Sequence, residues 1–280
     1  MTMTLDQVAP SVKIAACADV FDYASKPLVI VPRCPVCDAS IPTSHPTMDR
    51  YGYRIGVSAC GGCGLYYLNP RLSVADYQGF YEKTYRRLAE ARYPGHVAVT
   101  PLASQAHGAI IGDWLWRSGY TGGALLDVGG GTGDVAAGLQ GYRAGVTDIT
   151  VLDPDDTALE QAKARGYHTL RGLVEAQPAM VSVYDAIIAT QTIDHWLDPL
   201  AALRWIRAAL RPQGRLYLDM IDARVWRALH PLQAFKIDHP LYWTPKSLRV
   251  ALARTGWQVR SMYITWDHRR VSFLCQGVQP

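Results

Sequence analysis

The sequence predicts an α/β protein with a doubly wound, mainly parallel sheet, preceded by a small cysteine-rich module. Strand-like and helical segments alternate from residue 119 onward, and such alternation implies parallel strands with helices on both faces of the sheet. A glycine-rich turn follows the first of these strands, and two Cys-x-x-Cys pairs lie in the amino-terminal quarter of the chain. These three observations define the fold class and two candidate ligand sites.

The first 118 residues are predicted to form three segments. Residues 1–30 lack a clear period and form either a strand or a loosely attached arm. Residues 31–72 are rich in Cys, Gly, Pro and aromatic residues, which is typical of a small β-rich module with tight turns. Residues 73–118 are predicted to be helical, because Ser73 and Asp76 form a capping pattern and aromatic residues follow at helical spacing.

Residues 119–280 are predicted to form the α/β domain. Its last two strands follow each other too closely for a helical crossover, so they form an antiparallel hairpin at the sheet edge. Gly166 and Gly256 end two helices, and Thr244-Pro245 begins the last one. The predicted strands are 124–128, 148–152, 184–190, 215–221, 258–265 and 270–276, and the predicted helices include 134–139, 157–165 and 199–210.

The glycine-rich turn is the main candidate for a ligand site. Gly129, Gly131 and Gly133 have G-x-G-x-G spacing after the strand that ends at Asp127, and glycines there let the backbone approach a ligand closely. A dinucleotide would use the longer G-x-G-x-x-G spacing, and its pyrophosphate would be repelled by Asp127. Asp153, at the end of the next strand, is placed to accept hydrogen bonds from two ribose hydroxyls.

The four clustered cysteines have the spacing of a metal site. Cys34 and Cys37 form one Cys-x-x-Cys pair, and Cys60 and Cys63 form a second one 22 residues later. Two such turns present four thiolates to one tetrahedral Zn(II), and four sulfurs leave no position for water, so the zinc is predicted to be structural. Four unligated thiols and an iron–sulfur cluster remain as alternatives.

Composition and charge narrow the classes of partner. The net charge is only +4, whereas nucleic-acid binders concentrate Lys and Arg on one face. No apolar run approaches the roughly 20 residues of a membrane span, and the first ten residues lack a secretory signal pattern. We therefore predict a cytoplasmic protein without a membrane partner. The densest basic runs suit a solvated surface: Arg86-Arg87, Arg269-Arg270, and Arg204, Arg207 and Arg211 around one helix.

Several motifs taken together resemble the class I S-adenosylmethionine-dependent methyltransferases. These motifs are LLDVGGGTGD, VLDP, YDAIIATQTIDHWLDP and LRPQGRLYLDM, and the resemblance covers roughly Thr121 to Gln276. It implies a Rossmann-like sheet of seven strands that binds S-adenosyl-L-methionine. By this resemblance Asp127 lies near the methionine end, the glycines pass under the cofactor and Asp153 holds the ribose. The remaining implied contacts are Leu173 and Val174 at the adenine, and Thr190 and Gln191 at the sulfonium.

A second resemblance links the cysteine module to the helix that follows it. The segment CPVC…CGGCGLYYLNPRLSVADYQGFYEKTY resembles an arrangement in bacterial small-molecule methyltransferases, including sugar C-methyltransferases. In that family the tyrosine-bearing helix lies over the cofactor, so Tyr81 and Tyr85 become candidate cofactor contacts. The alternative is that both belong to an aromatic core stripe on an amphipathic helix.

Candidate catalytic residues follow the fourth strand and precede the last helix. His195, in the Asp194-His195 pair, is predicted to have a near-neutral pKa and to accept a proton from the methyl acceptor. The alternative is a His that orders the loop. His239 and Tyr242 lie in a segment predicted to cover the substrate, and they are second candidates for the base or for substrate contact.

The sequence therefore predicts methyl transfer to carbon or oxygen of a small metabolite, such as a sugar, a polysaccharide precursor or a secondary-metabolite intermediate. An RNA methyltransferase that binds its substrate with the zinc ribbon is the runner-up, and the modest charge disfavours a nucleic-acid partner. A non-catalytic cofactor-binding partner protein and an NAD-dependent oxidoreductase are further alternatives. The oligomeric state stays open at this point.

Overall fold

The computed structural model describes residues 10–40, 43–93, 100–142, 145–231, 234–265 and 269–278. The amino-terminal part contains a helix, short strands and three further helices. The helical segment predicted after Ser73 is confirmed, and Ser73 caps its first helix by accepting a hydrogen bond from the Asp76 N–H. The elements are α1 (Pro10–Val20), β1 (Leu28–Val29), β2 (His45–Met48), β3 (Arg54–Ala59), β4 (Tyr66–Leu68), β5 (Arg71–Leu72), α2 (Val74–Lys83), α3 (Tyr85–Arg92) and α4 (Pro101–Arg117).

The predicted amino-terminal arm is described from Pro10 onward, whereas residues 1–9 lie outside the described residues. Residues 10–20 form a helix rather than a strand, and Cys17 is fully buried. The Tyr53 hydroxyl donates to the Cys17 and Phe21 carbonyls at 2.9 and 2.6 Å, which fixes the carboxyl end of α1. The sequence alone did not indicate this helix, because its apolar residues do not follow a helical period.

The carboxyl-terminal part forms the predicted seven-stranded sheet. Its strands lie in the order β12–β13–β10–β9–β6–β7–β8, and all neighbours are parallel except those of β13, which is antiparallel to β10 and β12. The predicted edge hairpin is therefore confirmed. The elements are β6 (Gly123–Val128), α5 (Asp134–Gln140), β7 (Val146–Asp153), α6 (Asp156–Ala164), β8 (His168–Arg171), β9 (Tyr184–Ala189), α7 (Pro199–Ala209), β10 (Leu210–Ile221), α8 (Ala223–Leu229), β11 (Leu241–Tyr242), α9 (Pro245–Arg254), β12 (Trp257–Ile264) and β13 (Arg270–Gly277).

Helices cover both faces of this sheet, as a doubly wound fold requires. One apolar cluster joins α4, α5 and α6 to one face, through residues such as Ile111, Leu139 and Leu159. A second cluster joins α7 and α9 to the other face, through residues such as Ile206 and Leu248. The strand order reverses at β6, which lies between β7 and β9, and ligands of such sheets bind at the carboxyl ends of the strands at this position.

The cysteine-rich module forms a separate small sheet in the order β11–β4–β3–β2, here called the ribbon sheet. Three of its strands come from the module, but β11 comes from the segment between α8 and α9. Leu241 and Tyr242 of β11 pair with Tyr67 and Tyr66 of β4. The ribbon sheet is thus completed by the α/β domain and connects the two parts of the protein.

Among the helices of the described residues, none combines the length and the apolar character that a membrane crossing requires.

Candidate functional site

The glycine-rich turn joins the end of β6 to α5 in the way its spacing predicts. Gly129, Gly131 and Gly133 all have positive φ values, of 68°, 57° and 76°, a region in which residues with a Cβ are strained. A Cβ on Gly129 would lie 2.2 Å from the Thr192 Oγ1 atom. Glycine is therefore required there both by the backbone conformation and by the close approach of the loop after β9.

Asp153 lies at the end of β7, beside this turn. Its Oδ2 accepts a hydrogen bond from the Gly131 N–H at 2.9 Å, and its Oδ1 accepts one from the Asp155 N–H at 2.9 Å. Burial raises the pKa of the Asp153 carboxyl above its ordinary value, and the two N–H donors oppose this shift. The carboxylate is thus held in one orientation at the carboxyl edge of the sheet.

Asp127 lies beneath the turn rather than in the open space above it. Its side chain is fully buried, and a Cβ on Gly130 would come within 2.5 Å of its Cγ. Neither carboxylate oxygen has a hydrogen-bond partner among the described residues. Burial, together with the nearby Asp153, raises the pKa of Asp127 to about 7. An unpaired buried carboxylate of this kind favours the binding of a cationic group nearby.

A cavity of about 310 Å³, here called the glycine-turn cavity, opens above the turn. Nine of the predicted site residues line it, whereas Asp127, Gly133 and Thr190 are not part of its lining. The nine are Tyr81, Tyr85, Gly129, Gly131, Asp153, Leu173, Val174, Gln191 and His195.

The sequence reasoning missed several residues of this cavity. Three of them lie in loops of the α/β domain: Thr192 and Trp196 after β9, and Glu175 after the predicted adenine contacts. Two more, Arg86 and Asp155, form an ion pair at the rim of the cavity. The doubled acid after the second strand, in Asp153-Pro154-Asp155, was a signal for Asp155. Arg86 carried no such signal, because only the fold brings α3 next to the loop after β7.

Two tyrosines of the helical segment form the roof of the cavity. The Tyr81 and Tyr85 rings pack edge-on against the His195 ring, with centroid distances of 5.3 and 5.7 Å. The Tyr81 hydroxyl donates to the Asp238 carbonyl at 2.8 Å, which ties α2 to the segment before β11. Both tyrosines therefore line the cavity and also belong to an aromatic cluster of the core.

A buried polar network holds the loop after β9. Gln191 has a φ of 47°, which is unusual for a residue other than glycine, and its N–H donates to the Asp219 Oδ1 at 2.9 Å. The side-chain amide of Gln191 lies beside the Arg270 guanidinium, which can donate only to the amide oxygen. The other carboxylate oxygen of Asp219 accepts from the Tyr217 hydroxyl and lies 3.2 Å from the His107 Nε2. Asp219 therefore stabilises a strained backbone conformation at the edge of the cavity.

The resemblance described above implies S-adenosyl-L-methionine as the cofactor, with S-adenosylhomocysteine as its demethylated product. We expect Asp219→Ala to weaken binding of S-adenosylhomocysteine by about ten-fold, because a lost hydrogen bond to a charged group costs roughly 1.5–3 kcal/mol, part of which relaxation recovers. Adding Gln191→Gly should restore most of the affinity, since glycine adopts a positive φ without strain. Titration calorimetry of the two single variants and the double variant measures this. Wild-type affinity of Asp219→Ala, or no recovery in the double variant, would contradict the role assigned to Asp219.

A second cavity of about 150 Å³, here called the histidine cavity, lies beyond His195. His239 lines it, and the His195 and His239 rings are 4.5 Å apart between centroids. The His239 Nδ1 lies 3.1 Å from the Asp194 Oδ2, so Asp194 orients this ring. The rest of its lining combines charged, aromatic and small or aliphatic side chains: Arg50, Asp194, Ile221, Ala223, Trp226, Ala234, Lys236, Tyr242 and Trp243.

Tyr242, predicted to be a base or a substrate contact, lies in the wall of the histidine cavity. Its hydroxyl donates a hydrogen bond to the Lys236 carbonyl at 2.8 Å and accepts one from the Lys236 N–H. The backbone of Lys236 therefore engages the hydroxyl both as a donor and as an acceptor. Burial also raises its pKa well above the ordinary value of a tyrosine. Tyr242 therefore shapes the histidine cavity and fixes the segment before β11, which favours the predicted substrate contact over the predicted base.

His195 also differs from its prediction in one respect. Burial lowers its pKa to about 4, rather than leaving it near neutrality, because the tyrosines and His239 enclose the ring. The Nδ1 atom has no hydrogen-bond partner among the described residues. At neutral pH the imidazole is therefore uncharged and has a ring nitrogen that can accept a proton. Burial likewise lowers the pKa of His239.

The four predicted metal ligands lie together between the two turns of the cysteine module. The Sγ atoms of Cys34, Cys37, Cys60 and Cys63 are all within 4.8 Å of one another, with 3.5 Å between Cys34 and Cys63 and 3.4 Å between Cys37 and Cys60. Sulfurs around a tetrahedral Zn(II) with bonds of about 2.3 Å lie roughly 3.8 Å apart. The arrangement of the four sulfurs fits such an ion. Close to the cluster, the Arg254 guanidinium donates a hydrogen bond to the Val36 carbonyl, and this contact joins the module to α9.

Comparison with protein families gives a match over most of the α/β part. Residues 84–262, more than half of the chain, match a family model described as a methyltransferase domain.

Curated relatives match shorter stretches. The tRNA U34 carboxymethyltransferase of Chromohalobacter salexigens is 27% identical over 169 residues, which cover 52% of this chain and 49% of the relative. The ubiquinone biosynthesis O-methyltransferase of Xanthomonas campestris pv. campestris is 29% identical over 116 residues, which cover 38% of this chain and 46% of the relative. The chain thus spans about half of the length of the curated relatives it matches.

Solved structures share the fold at low sequence identity. An S-adenosylmethionine-dependent methyltransferase from Clostridium acetobutylicum has a TM-score of 0.54 and 11% identity, covering 63% of this chain and 92% of that one. The mitomycin 7-O-methyltransferase has a TM-score of 0.55 and 17% identity, covering 72% of this chain and 60% of that one.

Proposed function

Because the chain belongs to the family of S-adenosylmethionine-dependent methyltransferases, we propose that it methylates carbon or oxygen of a small metabolite. A sugar, a polysaccharide precursor or a secondary-metabolite intermediate is the class of acceptor. The observation that carries this proposal is the position of His195, which lines the glycine-turn cavity while its ring packs against His239 of the histidine cavity.

The glycine-turn cavity is the site for S-adenosyl-L-methionine, which supplies an electrophilic methyl group on a sulfonium. Asp153 would hold the ribose hydroxyls, Leu173 and Val174 would flank the adenine, and Gln191 would face the sulfonium. Asp127 would act from beneath the turn through its charge. Three features support this assignment: the unpaired buried Asp127, the positive φ values of the glycines and the orientation of Asp153.

The histidine cavity is the site for the acceptor. An apolar cavity of about 150 Å³ holds one benzene ring in another protein, so this volume suits one ring of a small acceptor. The aromatic walls would pack against the ring, while Arg50 and Lys236 would face its polar substituents. The acceptor atom would lie next to His195, at the side of the glycine-turn cavity.

His195 would take the proton that the acceptor atom loses as the methyl group is transferred. An uncharged imidazole is required for this step, and the low pKa of His195 keeps the ring uncharged at neutral pH. A low pKa also makes it a weak base, so its efficiency depends on how acidic the proton of the acceptor is. His239, oriented by Asp194, would position the His195 ring.

The cysteine cluster would hold one structural Zn(II), with Cys34, Cys37, Cys60 and Cys63 as ligands. Reduced thiolates are required for this, which favours the cytoplasm as the location. The chain would then divide into four functional parts: an amino-terminal arm at 1–30, a zinc ribbon at 31–72, a cofactor-covering helical segment at 73–118 and the cofactor-binding domain at 119–280. In this division the ribbon serves to place Tyr81 and Tyr85 over the glycine-turn cavity.

A role in RNA methylation is the second candidate, and one observation favours it: a curated relative bears the name of a tRNA-modifying enzyme. The cysteine module offers few cations for a phosphate backbone, since Arg33 is paired with Asp38 and Arg50 stacks on Trp226. A salt-sensitive shift of RNA in a gel at low protein concentration would favour this candidate over a small acceptor.

We expect Asp153→Ala to weaken binding of S-adenosylhomocysteine by about 100-fold or more, because two hydrogen bonds from ribose hydroxyls to a charged acceptor are lost. Asp156→Ala is the matched control, since Asp156 is an exposed acid three residues away that pairs with Arg171. Titration calorimetry measures both affinities. Equal affinities for wild type and Asp153→Ala would contradict the cofactor assignment, and a loss in Asp156→Ala of the same size would indicate a nonspecific charge effect.

A further inference from the structure

A large groove lies at the opposite end of the sheet from the glycine-turn cavity. It has a volume of about 480 Å³ and is formed by the segment before β9, the carboxyl half of α7, the start of β10 and the end of β13. We call it the arginine groove, because Arg204, Arg207 and Arg211 line it. Among the described residues, no Asp or Glu belongs to its lining.

The three arginines face the groove for a simple geometric reason. Arg204 and Arg207 are three residues apart on α7, a spacing that places two side chains on the same face of a helix. Arg211 follows two residues after the end of α7. Because like charges so placed repel one another, the arrangement is stabilised by any anion that enters the groove.

Arg207 is held rigidly in its position. Its Nη2 donates to the Val278 carbonyl, and its guanidinium lies between two glycines. A Cβ on Gly256 would come within 3.2 Å of its Cζ, and a Cβ on Gly277 within 3.3 Å of its Nε. The two glycines thus form a slot that orders this side chain before any ligand binds. Less conformational entropy of the arginine side chain is then lost on binding.

The other two arginines differ in how far their charge is neutralised. Arg211 pairs with Asp185, which lies outside the groove lining. Arg204 is exposed, and it forms no ion pair within the part of the chain that the structure describes. Within the described residues, the groove therefore has two guanidinium groups, those of Arg204 and Arg207, whose charge is not balanced by a carboxylate.

The backbone at the rim of the groove is strained. Ser182 has a φ of 54°, in the left-handed region that residues other than glycine rarely adopt. Its N–H donates to the Ala208 carbonyl at 2.9 Å, which holds this segment against α7. Strain of this kind costs about 1 kcal/mol or more, and it is concentrated at ligand sites.

A purely structural explanation accounts for only part of this arrangement. A cation near the carboxyl end of a helix interacts favourably with the helix dipole, by roughly 0.3–1 kcal/mol at an exposed site. One arginine is enough for that effect. It explains neither the slot between Gly256 and Gly277 nor the exclusion of acids from a groove larger than the glycine-turn cavity.

We propose that the arginine groove binds a small diphosphate-bearing ligand, with Arg204 and Arg207 as the main contacts. The planar guanidinium matches the oxygens of a phosphate in a paired geometry, and two adjacent guanidinium groups match two linked phosphates. The groove is separate from the methyl-transfer site. The six residues of β9 span about 20 Å between the two ends of the sheet, at roughly 3.3 Å per residue.

The test uses inorganic pyrophosphate as the probe and zinc-loaded protein saturated with S-adenosylhomocysteine, so that the glycine turn is not open to the anion. Titration calorimetry at low salt should show saturable binding of one pyrophosphate per chain. Arg204→Gln and Arg207→Gln should each weaken it at least ten-fold. Arg165→Gln is the control, since Arg165 pairs with Asp134 elsewhere on the surface and should leave the affinity unchanged.

Three results would overturn the proposal. The first is the absence of saturable binding, and the second is a loss of affinity in Arg165→Gln as large as that in Arg204→Gln. The third is tighter binding of a single-stranded RNA oligonucleotide than of pyrophosphate, which would assign the groove to a nucleic acid. Arg207→Gln loses the contact with Val278, so this variant can be less stable than the wild type. Arg204 is exposed on α7, so Arg204→Gln should stay folded and still tests the binding of pyrophosphate.

Discussion

Replacement of Cys63 by serine in the zinc-loaded protein is expected to abolish metal binding and to unfold the ribbon sheet. Cys63 is almost fully buried, and its Sγ lies 3.5 Å from that of Cys34. A structural zinc contributes about 10–16 kcal/mol to the folding of a small module, which is comparable to the whole stability of a domain. Metal analysis should find about one zinc per chain in the wild type and none in the variant.

The loss should extend beyond the cysteine module. The ribbon sheet includes β11, and Tyr242 of β11 lines the histidine cavity, so loss of the sheet should also disturb that cavity. Cys275→Ala is the matched control, because Cys275 is equally buried but lies in β13, away from the cluster. A metal-free wild-type protein with the same melting temperature as the zinc-loaded protein would contradict the proposal.

Replacement of His195 by glutamine or alanine is expected to lower turnover by about 10²- to 10⁴-fold, the usual contribution of a positioned base. Binding of S-adenosylhomocysteine should change far less, because His195 only borders the glycine-turn cavity. Turnover is measured as release of S-adenosylhomocysteine with an acceptor that the wild type methylates. Replacement of His168, which is exposed, is the control. Near-normal turnover of both His195 variants would place the base elsewhere.

The pH dependence gives a second test of His195. Its uncharged form accepts the proton, so activity is lost as the pH falls through its pKa. Since burial lowers this pKa to about 4, the loss of activity that is due to His195 should lie near pH 4 and not near 6.5, where an exposed histidine titrates. It is separate from any weakening of cofactor binding near pH 7, where Asp127 takes up a proton. Carbon-13 resonances of the labelled His195 ring measure the same titration without an acceptor. A midpoint near 6.5 would contradict the enclosed position of the ring.

The sequence predicts those features that depend on short stretches of chain. The glycine turn, the strand that ends at Asp153 and the two Cys-x-x-Cys pairs are each encoded within a few residues, because local backbone geometry and ligand spacing determine them. The structure brings the four cysteines together and places Asp153 beside Gly131, as this reasoning expects. The order of most strands and helices of the α/β domain could be read in the same way from their periods.

Features that depend on distant contacts could not be predicted. The low pKa of His195 arises from rings that come from α2, α3 and the segment before β11. The hydroxyl of Tyr242 forms its hydrogen bond with the Lys236 backbone only because the chain folds back between α8 and β11. The hydrogen bond from Gln191 to Asp219 joins the loop after β9 to β10, and no local pattern connects these two residues.

The pairing of β4 with β11 has a consequence for how the protein folds during synthesis. Because translation proceeds from the amino terminus, the first three strands of the ribbon sheet leave the ribosome long before Leu241 and Tyr242 do. During that interval the exposed edge of β4 lacks its partner, and an unpaired strand edge invites aggregation. Early capture of zinc by the cysteines would hold these strands in register until the rest of the chain arrives. Metal supply would therefore affect the yield of folded protein, in addition to its final stability.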